Sequence, residues 1–547
     1  MKKIIVSSVI FSLAAVSLSA QNLDPTVEVS RGYQGKLVDV SKPVMEMAVP
    51  DSVYMFDLSF DYSVFENPYK GSYEFNPYTM DMKPESQAVA PSVFYLNAGA
   101  GYTLHPELDV LYSPDFKGGL SMDLYGTHRS YIGDYRTPHV GTEPAGYYFR
   151  GGYDLLSKAG VDMDYDWNKV ELDFGASYYG VAVKDAFKKS SYNSAGLYMS
   201  VKSKSMGRFM YGANASYHYG NESGMNEHLF DMGASVSHAL KHNSRVVVDL
   251  GVDFGVYAGG MDAVFGNFYV VPRYVYENDR FRTSVGARVS AVTSQSASFA
   301  RSNQFIYPDV RLSYDVLRDA MRLYLNIKGG EVLNTYYSLL DKNHHFSANY
   351  AFNGNNLLGS SVQRIKPELG IDGRISRFFS YSLRGGYLLA DNALMNAVVA
   401  EGAGYRPAMA YAGYQQGYAE ADWALDFESF RFDGTVAYAY TWGVPSLDSG
   451  AYIVMPAELR AEVSAVYNWN KRVYAGVDCE YSSRSKTLNA DLYLPYYVDL
   501  GAYAEYAVNR KFSVWLRGGN LLDMEIQRSP LFAEKGINFT AGICLSF

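Results

Sequence analysis

The sequence has little with which to build a disulfide framework or a thiolate metal site. Its 547 residues include 2 cysteines, too few for either. Charge is sparse as well, at 19%, and its balance is -9. That leaves no basic footprint for nucleic acid. There is no phosphate-binding loop, because Gly118–Gly119 and Gly259–Gly260 stand where turns are expected. After Ala20 no run of eighteen apolar residues occurs, so no membrane-spanning helix is expected. Aromatic residues reach 15%, with 50 Tyr, 29 Phe and 5 Trp. Long disorder does not fit such a composition. It suits a sheet that is wet on one face and aromatic on the other.

Residues 1–20 read as a secretory leader. Lys2 and Lys3 form a basic start, Ile4 to Leu18 an apolar core, and Ser19–Ala20 a small-residue cleavage point. Removing the two lysines takes the formal charge from -9 to -11. Residues 21–91 read as an extended arm, periplasmic or threaded into a lumen. The arm is interrupted by Pro43, Pro50, Pro68, Pro77, Pro84 and Pro91, with one alternating strand from Tyr54 to Val64.

From about residue 92 the dominant signal has period two. In the last residues, Ile537, Phe539, Ala541, Ile543, Leu545 and Phe547 share one face, and Asn538, Thr540, Gly542, Cys544 and Ser546 the other. Such alternation is a strand with one apolar and one polar face, long enough to cross a bilayer when tilted. The pattern recurs at 321–327, 419–427, 457–467 and 473–481. Short turns are expected at Trp167–Lys169, Lys241–Ser244, Glu277–Arg280, Leu317–Ala320, Asn468–Lys471 and Asn509–Lys511. Longer loops are expected near 129–150, 183–193, 331–360, 390–412, 443–454 and 523–535. Short turns on one side and long loops on the other mark an outer-membrane barrel. The fold class is therefore all-β, a transmembrane antiparallel β-barrel over residues 92–547. The best count is 22 strands, in a range of 18–22, since 456 residues then give about 21 per strand. Prolines at 272, 308, 367, 456 and 495 are expected in the first turns of strands, where a missing N–H is tolerated.

The C-terminal segments YVDLGAYAEYAVNRKFSVWLRGGNLLDMEIQ and GINFTAGICLSF resemble the barrel end of TonB-dependent receptors. Asn520, Leu521 and Leu522 stand where that family has Asn-Leu-Phe. The string DPTVEVSR, with Asp24, Thr26, Val27 and Val29, is similar to the box those receptors offer to a periplasmic energising partner by strand addition. The family's globular plug has no counterpart in residues 21–91, so the resemblance is to a plug-less subgroup. It implies a transport or diffusion barrel for small solutes. The alternative is a non-transporting structural or assembly partner barrel in an outer-membrane complex.

Ile543, Leu545 and Phe547 are the candidate signal for the outer-membrane assembly machinery. Glu458, Arg460, Glu462, Asp478 and Glu480 are candidate lumen charges, either mutually neutralising or lining a solute path. Outer-membrane lipid is the expected surround, with a surface lipoprotein a further candidate partner at the long loops. No cofactor and no enzyme activity are expected. Ser237–His238 point to opposite faces of a strand, and His128–Ser130 lack a third group. Asp341-Lys342-Asn343-His344-His345 reads as a solvated loop rather than a metal site. Cys479, on the apolar face, and Cys544, on the polar face, are expected as free thiols.

Overall fold

The computed structural model describes residues 93–547 except 103, 117, 137–147, 205–206, 260–261, 297–298, 319, 348–357, 402–403, 448–449 and 489–491. The leader, the arm and the segment Asp24–Val29 lie outside the described residues. Twenty-two antiparallel strands close a ring. The first, Phe94–Tyr102, pairs with the last, Asn538–Ser546, from Tyr95↔Ser546 to Tyr102↔Phe539. Three short strands, Ala451–Ile453, Ser485–Lys486 and Tyr493–Leu494, lie outside the ring. Among the described residues there is one helix, Tyr336–Lys342.

Period two decides which side of the wall each residue takes. Across the strands Tyr148–Trp167 and Val170–Lys184, Asp164 stands opposite Asp173, and Met163 opposite Phe174. The carboxylates take one face and the apolar pair the other. Leu197, Ile306 and Leu369 remain 61%, 76% and 62% exposed, on the face that meets hydrocarbon. Trp167, Trp469 and Phe547 are exposed at the short-turn end, where amphipathic rings mark a membrane interface. On the inner face, tyrosines lie over glycines of neighbouring strands. A Cβ on Gly251 would collide with the Tyr269 ring, and one on Gly370 with Tyr324. Both thiols are free; Cys544 is buried opposite Asn97 and Ser513, and Cys479 lies opposite Leu500.

All six short turns occur as expected. The long segment expected at 390–412 is instead a hairpin, Phe379–Glu401 with Gly404–Asp426. Its 23-residue strands are about twice what a bilayer needs, so the upper half projects beyond the membrane. Met395, Ala397, Val398, Ala408 and Ala412 are all buried there. A segment buried on both faces has no alternation to read. Likewise 183–193 is mostly strand, with only residues 185–188 between Lys184 and Lys189. Pro272, Pro308 and Pro367 sit inside long strands rather than at their starts. At Pro272 the ladder to the next strand passes from Val270↔Val289 to Arg273↔Gly286, omitting two rungs. A residue with no N–H removes a hydrogen bond there without ending the strand.

Candidate functional site

The lumen wall is a polar lattice joined across strands. Arg288 donates to Glu331 at 2.8 Å, and its guanidinium lies 3.6 Å from the centre of the Tyr269 ring. Arg129 bridges Asp109 at 2.8 Å, while Arg384 pairs with Glu420. Tyr418 donates to Glu368 at 2.8 Å. Glu462 and Glu480 stand directly opposite, Asp478 faces Ser464, and Arg460 faces Ser482. These four charges share the inner face. Glu458 precedes its strand, and its carbonyl accepts from the Ala439 N–H.

At the long-loop end the mouth carries a strap, residues 335–347, leaving the strand Met321–Asn334. Thr335 caps its helix in a capping box with Ser338. The helix N-terminus is met by Glu227, which has no exposed surface. Glu227 accepts from the Tyr336 N–H at 2.8 Å, from the Tyr257 hydroxyl at 2.6 Å and from the Tyr192 hydroxyl at 2.7 Å. A carboxylate fits this end of a helix because its free N–H groups point outward there. The strap then continues to the fourth strand of the ring, nine strands from the thirteenth, which it leaves. Asp341 pairs with Lys158 at 2.9 Å. The His344 imidazole lies 3.0 Å from Asp154, and that of His345 lies 2.7 Å from Asp185. Burial pushes the His344 imidazole down, but the hydrogen bond and charge of Asp154 outweigh it and hold the group above its usual value. Lys188, paired with Glu222 at 3.2 Å, also donates to the Phe346 carbonyl; burial holds its ammonium below the usual lysine value.

A second loop, residues 520–537, meets the strap. Phe532 stacks on His345 with ring centres 4.7 Å apart and packs edge-on to Phe187. Its neighbour Leu531, at φ +67°, packs with Val398, Val454 and Leu494 on the projecting hairpin side. Phe532 belongs to a different cluster, with Tyr179, Tyr192, Tyr257, Tyr336 and Leu340. Adjacent side chains thus join two apolar clusters over the mouth. Arg528 ties this loop to the wall through Glu480 and Asp499.

No family model matches the sequence, and no curated protein does. Solved structures do match the barrel. The copper transporter OprC superposes with a TM-score of 0.64 at 12% identity, covering 83% of this chain and 80% of that one. The FrpB iron transporter from Neisseria meningitidis gives 0.62 at 9% identity, with 84% and 82% covered. The siderophore receptor PiuA from Acinetobacter baumannii gives 0.61 at 10% identity, with 83% and 81% covered. The barrel has the fold of the TonB-dependent receptors. Identity near a tenth is enough because such a barrel asks for alternation and turn chemistry rather than particular side chains. This is the fold of a Gram-negative outer-membrane barrel.

Within this receptor-like barrel, the sequence motifs fall as follows. Ile543 and Phe547 are exposed on the outer face, and Leu545 stands between Phe512 and Leu96. Ser237 is paired with Val247 and His238 with Val246, on opposite faces. His128 lies 2.8 Å from the Ser157 hydroxyl, while Ser130 donates to the Pro106 carbonyl at 3.1 Å. Among the described residues no group of three or more His, Cys, Asp or Glu is arranged to hold a metal. The segment from Asp341 to His345 is no solvated loop, since Asp341, His344 and His345 each reach a wall residue. Sequence reasoning missed Glu227, Asp154 and Asp185. Each sits in an ordinary alternating strand end or connection, and nothing nearby in sequence announces its partner.

Proposed function

We propose that this chain is an outer-membrane conduit for small solutes, its mouth covered by the strap 335–347 and the loop 520–537. The observation that carries the reading is a closed wall with apolar residues outward and hydrogen-bonded charge inward. The likeness in fold to proteins described as copper, iron and siderophore transporters and receptors supports it. The candidate charges Arg460, Glu462, Asp478 and Glu480 contribute to the polar path. In this reading passage follows the solute's gradient, residues 21–91 being rich in proline with one alternating strand; the likeness in fold to TonB-dependent receptors supports a periplasmic energising partner instead, and the test separates the two. The test is conductance of the purified full chain in planar bilayers, repeated after deletion of residues 21–91 and, separately, of the strap. Current that rises when the strap is removed supports the conduit. Silence in all three forms favours a structural partner barrel instead. In cells, a Val27→Pro variant removes a main-chain donor from strand addition. Uptake that is lost both in that variant and on depolarisation would restore an energised cycle.

The role proposed for the final strand is recognition by the assembly machinery. Phe547 is 55% exposed, and its backbone closes the ring, its N–H donating to the Phe94 carbonyl at 2.9 Å. Deleting Phe547 lowers the amount of heat-modifiable barrel in the outer membrane. Normal levels in that deletion would remove the role.

A further inference from the structure

We propose that His344 forms a proton-operated latch, with the adjoining His345 pair as a second contact, that holds the strap across the mouth in acid and releases it as the medium becomes alkaline. The inference rests on the conduit reading only for its consequence for flow; the latch itself stands on geometry. Two neighbouring imidazoles at the far end of the strap each meet a carboxylate of the wall. Asp154 belongs to the strand Tyr148–Trp167, and Asp185 to the connection after Val170–Lys184. Both pairs are partly buried: the side chains of His344 and Asp154 are 24% and 29% exposed, and those of His345 and Asp185 17% and 8%. Histidine is the side chain whose charge changes in the range an envelope protein meets.

Charged groups face the latch from the strap, the wall and the loop 520–537. His344 is faced by Asp154, by Lys158 on the same strand, and by Asp341 on the strap itself. His345 is faced by Asp185, the edge of the Tyr135 ring and the stacked Phe532 ring. Lys188 lies on the Asp185 connection and holds Glu222. From the loop 520–537, Lys535 and Glu534 reach the same neighbourhood. At the strap's other end Glu227 holds the helix; burial raises its carboxyl to about 7, so its protonation falls within the same range and works against closure in acid. That group is left intact in every variant below.

The sign follows from the pairing. A histidine held charged by a carboxylate has its folded value raised. Its stabilisation is complete below the ordinary histidine value of about 6.5 and is lost as pH rises through the raised one. The environment of His344 runs in that direction. The His344 pair therefore contributes its hold on the strap at about pH 5.5 and loses it by about pH 8.5, on either side of the histidine range.

Chymotryptic cleavage within residues 336–346 reads strap release without requiring any current. The rate is taken as the ratio of the wild-type full chain to the His344→Ala/His345→Ala variant at each pH, which cancels the protease's own pH dependence. The ratio is expected to be several-fold below one in acid and to approach one in alkali. A His344→Lys/His345→Lys variant, charged throughout, stays protected at both ends of the range. A ratio that does not change with pH overturns the latch. So does a lysine variant cleaved as fast as the alanine variant in acid. Conductance measured alongside separates the two readings. A ratio that shifts with pH in a barrel that never conducts leaves the latch standing and removes the conduit.

Discussion

Glu227 shows what a single buried charge does to a loop. Its two oxygens serve two tyrosine hydroxyls and the backbone N–H groups of Tyr336 and Tyr337. All lie under the strap, and the side chain has no water of its own to fall back on. Replacement by Ala leaves those donors unsatisfied, at about 1–3 kcal/mol for each group that cannot find another acceptor. Glu227→Gln keeps the shape and one acceptor but adds an amide donor facing other donors, so it is the milder change. The strands on either side keep their own ladders through the pairs Gly220↔Glu227 and Glu227↔Tyr257. The expected result is selective: the strap becomes protease-sensitive in Glu227→Ala, and the barrel stays heat-modifiable. Equal protection of the strap in wild type and in Glu227→Ala would show that the helix is held by packing alone.

Among the elements, the loop 520–537 has a role out of proportion to its length. Leu531 and Phe532 enter two different apolar clusters, so the loop couples the strap to the projecting hairpin. Phe532 is 8% exposed, and truncating a buried Phe to Ala typically removes about 3–5 kcal/mol. In Phe532→Ala, hydrogen exchange should quicken in 335–346 and 520–537 together, with the transmembrane strands unchanged. Faster exchange in only one of the two loops would refute the coupling. Neither loop's fold was legible in the sequence, for a physical reason. The transmembrane strands announce themselves because lipid and lumen impose opposite polarity on alternate residues. Val170–Lys184 and Asn538–Ser546 show this, and so do the six Asn-, Asp- and Lys-rich turns. Over the mouth no such contrast exists. Val398 and Ala397 are buried on both sides, and 390–412 read as a loop. His344 and His345 read as solvated because their partners, Asp154 and Asp185, lie 190 and 160 residues away in sequence. Prolines misled for a related reason, since a long antiparallel ladder tolerates the loss of a rung inside a strand.

At the scale of the whole barrel, the distribution of charge around the wall decides what it would pass. Several carboxylates stand directly opposite one another on neighbouring strands: Asp123↔Asp162, Asp164↔Asp173 and Asp231↔Asp253, with Glu480 between Glu462 and Asp499. Like charges in that position destabilise a sheet. Some are offset from within the chain, Asp173 by Lys202 at 3.1 Å and Asp499 by Arg528 at 2.9 Å. Asp162 accepts from the Tyr198 hydroxyl at 2.6 Å, and Asp164 from the Ser121 hydroxyl at 3.4 Å. The outward positions of the same strands, such as Val161, Met163, Leu172 and Phe174, carry no charge. The negative potential is therefore directed into the lumen, where low-dielectric walls concentrate it. A lumen of this sign raises the local concentration of cations and repels anions. With the strap removed, the reversal potential in a salt gradient should show cation preference, and the preference should fall as ionic strength rises and screens the wall. Replacing both Asp164 and Asp173 by Asn should weaken it while leaving the strand pairing, and so the heat-modifiable fraction, intact. Anion preference in the strapless barrel, or a preference untouched by those two substitutions and by salt, would mean that the wall charges neutralise one another and that selectivity is set elsewhere.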